Sequence, residues 1–131
     1  MTGPAYVDEL IEQARGERKT VLAKVRQLGA VRAALPLLTG LVQRAPYPDL
    51  RTAAVESLGS FHSGETEEIL VVVLKEDKSW HVRNAALKVL ARRATPGAIA
   101  ALREATKDKA YGVREDAKLL LEQFRGKKGK P

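Results

Sequence analysis

The feature that most constrains the fold is an internal repeat with a period of about 31 residues. Three segments align, 46–58, 77–90 and 108–121, and each carries an arginine at the same place: Arg51, Arg83 and Arg114. A leucine follows each arginine at one common offset, and a weaker fourth copy ends at Leu28-Gly29. Such a period is typical of arrays whose repeats cannot bury their apolar faces alone, so that neighbours stack.

Each copy has the periodicity of an α-helix. In the second copy the apolar residues form one stripe: Val82, Ala85, Ala86, Val89 and Leu90. Between copies, Thr95 before Pro96 predicts a helix start. The β-branched run 69–74 could pass for a strand, but no second strand candidate exists, so we expect a buried helix. The sequence therefore predicts antiparallel helix pairs, approximately 4–15 with 18–29, 33–44 with 49–60, 65–76 with 80–92, and 96–107 with 111–124.

These residues resemble the HEAT-repeat family, particularly the short bacterial and archaeal HEAT-like type also found in phycobilisome lyases. Its hallmark is an Asp in the inter-helix turn, followed by Val-Arg at the start of the second helix, as in Asp77 with Val82-Arg83 and Asp108 with Val113-Arg114. The sequence departs from it at Ala45, Asp116 and Val21. Over residues 29–124 the resemblance implies an all-α fold, a right-handed α-solenoid of about four HEAT-like antiparallel helix pairs.

The predicted domain organisation is one repeat domain with a tail. Residues 1–124 form a single HEAT-like domain, with a capping pair 1–29 and repeats 30–60, 61–92 and 93–124. Residues 125–131 carry four bases and two glycines and are expected to be a disordered tail. The last predicted helix has more apolar residues than one stripe needs, which favours self-association or a place within a longer or designed array: Leu119, Leu120, Leu121 and Phe124.

The chain lacks residue patterns that carry chemistry. It has no cysteine, which excludes disulfides and thiolate sites and fits a cytoplasmic protein. His62 and His81 are the only histidines and lack metal-ligand spacing. The acidic N-terminus is unlike a secretory signal, and the apolar run 69–74 is too short to span a bilayer. We therefore predict a non-enzymatic protein with no metal, cofactor or membrane span.

The repeated polar and aromatic residues have two interpretations. Arg51, Arg83 and Arg114 either bridge stacked repeats in a ladder with the turn aspartates or face a ligand. Trp80 and Tyr111, with Tyr47 nearby, either seal gaps between repeats or form binding hot spots. In the family the second helices form the concave face, where the polar positions of this chain are Thr52, Glu56, Asn84, Lys88, Glu115 and Lys118. Their mixed charge favours a protein partner as the leading hypothesis.

The charge distribution supports an alternative, a DNA- or RNA-binding module. The net charge of +7 is the sum of −3 in residues 1–12, +6 in 13–48, 0 in 49–122 and +4 in 123–131. The candidate phosphate-binding cations are Arg18, Lys19, Lys24, Arg26, Arg92 and Arg93. The simpler interpretation of this basic surface is solubility, and that of Arg92 and Arg93 is a favourable interaction with a helix C-terminus.

Overall fold

The computed structural model describes residues 4–128, which form eight α-helices and two short 3-10 turns at Leu28–Ala30 and Arg32–Ala34. No strand occurs within this range, so the predicted all-α class is confirmed. In chain order, the helices are α1 Pro4–Gly16, α2 Arg18–Gln27, α3 Leu35–Arg44, α4 Pro48–Leu58, α5 Gly64–Glu76, α6 Trp80–Arg93, α7 Pro96–Ala105 and α8 Tyr111–Lys128.

The helices differ from the predicted ones mainly at their ends. The 3-10 turns take the place of the last turn predicted for α2 and the first predicted for α3. The run 69–74 is helical, but Val72 is 51% exposed, so the helix is buried on one side only. Helix α8 continues to Lys128, which makes residues 125–128 of the expected tail helical. The rest of that tail, 129–131, lies outside the described residues.

The chain divides into two compact units, residues 1–69 and residues 70–131. In the first unit, α1 packs against α2 and α3, and α4 packs against α2 and α3. The core of this unit consists of fully buried leucines and valines, among them Leu38, Leu41, Leu50, Val21 and Val25. Helices α1 and α3 approach so closely that a Cβ on Gly40 would lie 2.7 Å from Val7 Cγ2. The buried Ser57 hydroxyl donates to the Val25 carbonyl at 2.6 Å and ties α4 to α2.

The second unit contains α6, α7 and α8 together with the part of α5 from Leu70 onward. Helix α6 packs against α7 and α8, which also pack against each other. The core is built from side chains that are almost completely inaccessible: Leu70, Leu87, Leu90, Leu102, Val113 and Ala117. Of the stripe predicted for α6, Val82, Ala86, Val89 and Leu90 are buried and Ala85 is half-buried. Leu87 and Arg83 lie outside that stripe and are buried as well.

Thr95 is expected to contribute about 1 kcal/mol to the stability of the second unit as the N-cap of α7. Helix α6 ends at Ala94, whose φ of 54° is left-handed, and the Thr95 hydroxyl then accepts a hydrogen bond from the Ala98 N–H at 3.1 Å. Thr95→Ala should lower the free energy of unfolding, measured by urea denaturation, by about that amount. Thr106→Ala, at the opposite end of α7, is the matched control and should have a smaller effect. Equal effects of the two substitutions would contradict the capping role.

Candidate functional site

The three repeated arginines share one contact with their own inter-helix turn. In each copy a terminal guanidinium nitrogen (Nη1) donates to the backbone carbonyl six residues earlier. The pairs are Arg51 with Ala45 at 2.8 Å, Arg83 with Asp77 at 2.7 Å, and Arg114 with Asp108 at 2.9 Å. Because the acceptor is a backbone oxygen, this contact survives in the first copy, where alanine replaces the turn aspartate. Each arginine therefore fastens the start of its second helix to its own turn.

Arg83 also pairs with the carboxylate of the following turn. Its Nε and Nη2 donate to the two Asp108 oxygens at 2.9 and 3.0 Å, and both side chains are over nine-tenths buried. The Ala110 N–H donates to the same carboxylate at 2.8 Å. Burial raises the pKa of Asp108, but the hydrogen bonds from Arg83 and Ala110 and the positive charges of Arg83 and Lys109 outweigh it and lower this pKa overall. A bidentate, buried pair thus links adjacent repeats within the second unit.

Burial changes the set of arginines that a partner could contact. Arg51 and Arg83 are 3% and 2% exposed, which removes both from the predicted binding surface. Arg114 is only half-buried and donates a second hydrogen bond to the Lys109 carbonyl at 3.0 Å. Among the described residues no carboxylate pairs with Arg114 in the way that Asp108 pairs with Arg83. One of the three repeated arginines therefore remains accessible.

In the N-terminal pair, Arg18 makes the contacts that the repeated arginines make elsewhere. Its Nε donates to the Ala14 carbonyl at 2.9 Å, and its Nη1 lies 3.0 Å from one Asp49 oxygen. Its guanidinium also stacks over the Tyr47 ring at 3.6 Å. The sequence assigned Arg18 to a phosphate-binding set and did not identify Asp49 as its partner, because the positions aligned with Asp49 are His81 and Gly112 and no carboxylate recurs there.

Some of the other cations proposed to bind nucleic acid contact side chains of the same chain. Lys24 lies 3.5 Å from the Gln13 side-chain oxygen, and Arg26 lies 4.0 Å from a Glu56 carboxylate oxygen. Lys19 is exposed and has no side-chain partner among the described residues. In the second unit Arg92 is exposed and Arg93 is half-buried. In the first unit, protein groups therefore compete with phosphate for three of the four predicted cations.

The aromatic residues have three different environments. Tyr47 is half-buried beneath Arg18. Trp80 is 43% exposed, stacks on His81, and has Cζ3 only 3.3 Å from where a Cβ on Gly112 would lie, so it covers the start of α8. Tyr111 aligns with Trp80 but is 70% exposed. Trp80 thus partly seals a gap between repeats, whereas Tyr111, at the corresponding place on α8, is exposed and has the Arg114 guanidinium 5.8 Å from its ring centroid.

The polar positions of the second helices fall into two aligned groups, with Lys118 outside both. Thr52, Asn84 and Glu115 are half-buried, and Asn84 Nδ2 donates to Asp116 at 2.9 Å. The next aligned group is exposed: Glu56, Lys88 and Leu119. Lys118 belongs to neither group, because it aligns with Val55 and Leu87, both fully buried, yet is itself exposed. Sequence analysis did not place Leu119 in this exposed group, although the excess of leucines in α8 was a signal.

The described part of the chain contains no arrangement suited to metal binding. Among residues 4–128 no cluster of three or more histidine, aspartate or glutamate side chains could hold a metal ion. No helix in the same range is both long and apolar enough to cross a bilayer.

Comparison with known proteins agrees with the geometry of the repeats. A family model described as HEAT repeats matches residues 34–122 of the 131-residue chain, a range that includes Arg51, Arg83 and Arg114. No curated protein and no solved structure matches the chain. The family match covers more than half of the sequence and every copy of the repeat from α3 onward. The chain therefore belongs to the HEAT-repeat family.

Proposed function

We propose that this chain is a non-enzymatic interaction scaffold that binds a protein partner through the exposed positions of its second helices. HEAT repeats generally serve as protein-interaction scaffolds. In family members these helices form the concave face; the aligned exposed residues are Glu56 in the first unit and Lys88 and Leu119 in the second. The proposal rests on one observation, the contrast between buried positions that repeat and exposed positions that differ.

The buried framework is nearly the same in every copy. The arginine that binds its own turn recurs three times, and one aligned small residue is fully buried in each second helix: Ala54, Ala86 and Ala117. The aligned exposed position instead carries an acid, a base and an apolar residue in turn. A regular polyanion would favour cations at each of these positions. Three chemically different side chains suit a partner whose own surface varies from place to place, as a protein surface does.

Leu119 is the strongest candidate for a contact that contributes binding free energy. It is 65% exposed on α8, whereas its aligned counterparts Glu56 and Lys88 are charged. Contacts that dominate an interface are apolar or aromatic groups that become fully desolvated on binding. The neighbouring pair Lys118 and Glu115, 3.1 Å apart, would supply a polar rim.

A photoreactive residue placed at Lys88 tests whether this face meets a partner. In the full chain, benzoylphenylalanine at position 88 should crosslink one specific protein, because the side chain is exposed on α6. The same residue at Arg103, exposed on the first helix α7, is the matched control and should not crosslink that protein. The crosslinked protein is then purified for quantitative binding measurements.

Leu119→Asp should weaken binding of that purified partner by about tenfold or more, equivalent to at least about 1.4 kcal/mol. The free energy of unfolding should change little, because the side chain is mostly in solvent before binding. Val72→Asp is the matched control, since Val72 is a similarly exposed apolar residue on the first helix α5. Equal weakening by the two substitutions, or none by Leu119→Asp, would contradict the proposed face.

A titration with labelled duplex and single-stranded DNA tests the competing function. At about 50 mM and about 150 mM salt we expect no saturable binding, because the aligned exposed positions Glu56, Lys88 and Leu119 carry an acid, a base and an apolar residue rather than a row of cations. Tight binding that falls steeply with salt and is lost in Lys19→Glu would replace the protein-binding proposal with a nucleic-acid one. Isothermal titration calorimetry with the purified protein partner then shows whether both ligands compete.

A further inference from the structure

One side of α8 corresponds to the side of α6 that receives the following repeat. On α6, Trp80 covers Gly112, Arg83 pairs with Asp108, and Leu87 is fully buried. The aligned residues on α8 are Tyr111, Arg114 and Lys118. With Leu121 and Arg125 they follow each other at spacings of three or four residues, which places all five on one side of the helix. We call these five residues the α8 end surface.

The α8 end surface is cationic and incompletely partnered. Arg114, Lys118 and Arg125 contribute three positive charges, Lys118 lies 3.1 Å from Glu115, and Glu122 is exposed on the same helix. Arg114 holds its own turn but lacks the carboxylate that Arg83 receives from the next repeat. Tyr111, the counterpart of Trp80, is 70% exposed, and the Arg114 guanidinium lies 5.8 Å from its ring centroid. A helix that presents carboxylates would complement this surface.

The chain itself carries such a helix in α1. Residues 1–12 have a net charge of −3, and Asp8, Glu9 and Glu12 are all exposed on α1. Asp8 pairs with Arg44 and Glu12 lies 3.3 Å from Arg15, but both pairs are exposed, and such pairs contribute little stability and exchange readily. Glu9 has no side-chain partner among the described residues. As the first helix of its pair, α1 corresponds to α7, which packs against α6.

We propose that copies of this chain associate head to tail, with α1 of one copy packed on the α8 end surface of another. The acids of α1 meet the cations of α8, and Arg114 receives from the second copy the carboxylate that it lacks. Lys118 replaces the buried leucine or valine of the internal repeats, so the contact is electrostatic and reversible rather than a continuation of the apolar core. Such a heterologous contact adds copies in series instead of closing after two. This inference does not depend on the proposed protein-binding function.

Sedimentation velocity of the full chain over a range of concentrations tests the association. At about 50 mM salt the average mass should rise with concentration, and at about 500 mM it should return to that of one chain, because salt screens exposed charges. The double variant Lys118→Glu with Arg125→Glu should weaken association by about tenfold or more. Arg103→Glu with Lys107→Glu changes the net charge equally at exposed positions on and just after α7 and should leave association unchanged.

A charge exchange identifies the partner of the α8 end surface. A chain with Glu9→Lys and Glu12→Lys should fail to associate alone, as should the chain reversed at Lys118 and Arg125, while both keep their helical circular dichroism. Mixing the two should restore association, because each reversed surface then meets its complement. A wild-type chain that stays monomeric at low salt, or association that survives the reversal on α8, would overturn the proposal. Failure of the mixture to associate would exclude α1 as the occupant and overturn it as well.

Discussion

Arg83→Met is expected to lower the free energy of unfolding of the second unit by about 3–5 kcal/mol. Methionine fills part of the volume of the guanidinium stem but leaves the Asp108 carboxylate buried without its cation. It also removes the hydrogen bond to the Asp77 carbonyl. An uncompensated buried charge is among the largest single-substitution penalties, because the lost hydration is not replaced. Urea denaturation followed by circular dichroism measures the loss.

Two further variants separate the charge from the packing. Arg103→Met removes an exposed arginine and should change the free energy of unfolding by less than about 0.5 kcal/mol. Asp108→Asn combined with Arg83→Met should be less destabilising than the sum of the single substitutions, because the amide removes the buried charge. If Arg83→Met alone unfolds like the wild type, the pair does not hold the turn and the ladder interpretation is wrong.

The same ion pair predicts a pH dependence of stability in acid. The pKa of Asp108 is lowered in the folded chain from its ordinary value of 3.8. Its contribution to stability is therefore fully present above that ordinary value and is lost as the pH falls through the lower, folded value. Asp108→Asn should lose stability at neutral pH and show a smaller further loss in acid than the wild type. An identical acid dependence of the two proteins would show that other carboxylates dominate acid unfolding.

The sequence predicted the helices well because the same physical requirement is repeated in each copy. An apolar stripe at helical spacing must be buried, and Val82, Val89 and Leu90 show this directly. The pairing of Arg83 with Asp108 was also predicted as one of two alternatives, since both residues recur. The repeat pattern could not predict how exposed each arginine side chain is. Arg83 and Arg114 occupy equivalent sequence positions, but within the described structure only Arg83 is buried by a following repeat.

Contacts without a repeated counterpart escaped the sequence analysis. Arg18 and Asp49 pair across the first two helix pairs, but the aligned copies have His81 and Gly112 where the first copy has Asp49, so no recurrence marked the pair. Their pairing depends on how the two pairs pack, which local periodicity does not specify. The position of Lys118 was also misassigned, although it does have counterparts in the other copies. A single stripe assigned it to the polar face, whereas its alignment with Val55 and Leu87 shows that it replaces a core residue.

Lys118 stands where the aligned Leu87 is buried. Placing a lysine at position 87, as in Leu87→Lys, is therefore the substitution expected to lower the free energy of unfolding most. Leu87 is fully buried, so the variant loses the burial of a leucine and must place an ammonium group in the core. Because a domain has a net stability of only about 5–15 kcal/mol, we expect residues 70–131 to be largely unfolded at neutral pH. Hydrogen exchange of the α6–α8 backbone amides, which should lose their protection, gives the measurement.

The matched control for Leu87→Lys is the opposite substitution, lysine to leucine, at the aligned position 118. Lys118→Leu should leave the free energy of unfolding within about 0.5 kcal/mol of the wild type, because Lys118 is exposed and its pairing with Glu115 is a surface contact. Leu87→Met, which conserves volume, should be less than about 1.5 kcal/mol less stable than the wild type. Raising the pH should partly restore Leu87→Lys, since a neutral amine is less unfavourable in the core. Protection of the α6–α8 amides in Leu87→Lys at neutral pH would mean that a second helix tolerates a cation at this position even where the aligned side chain is buried.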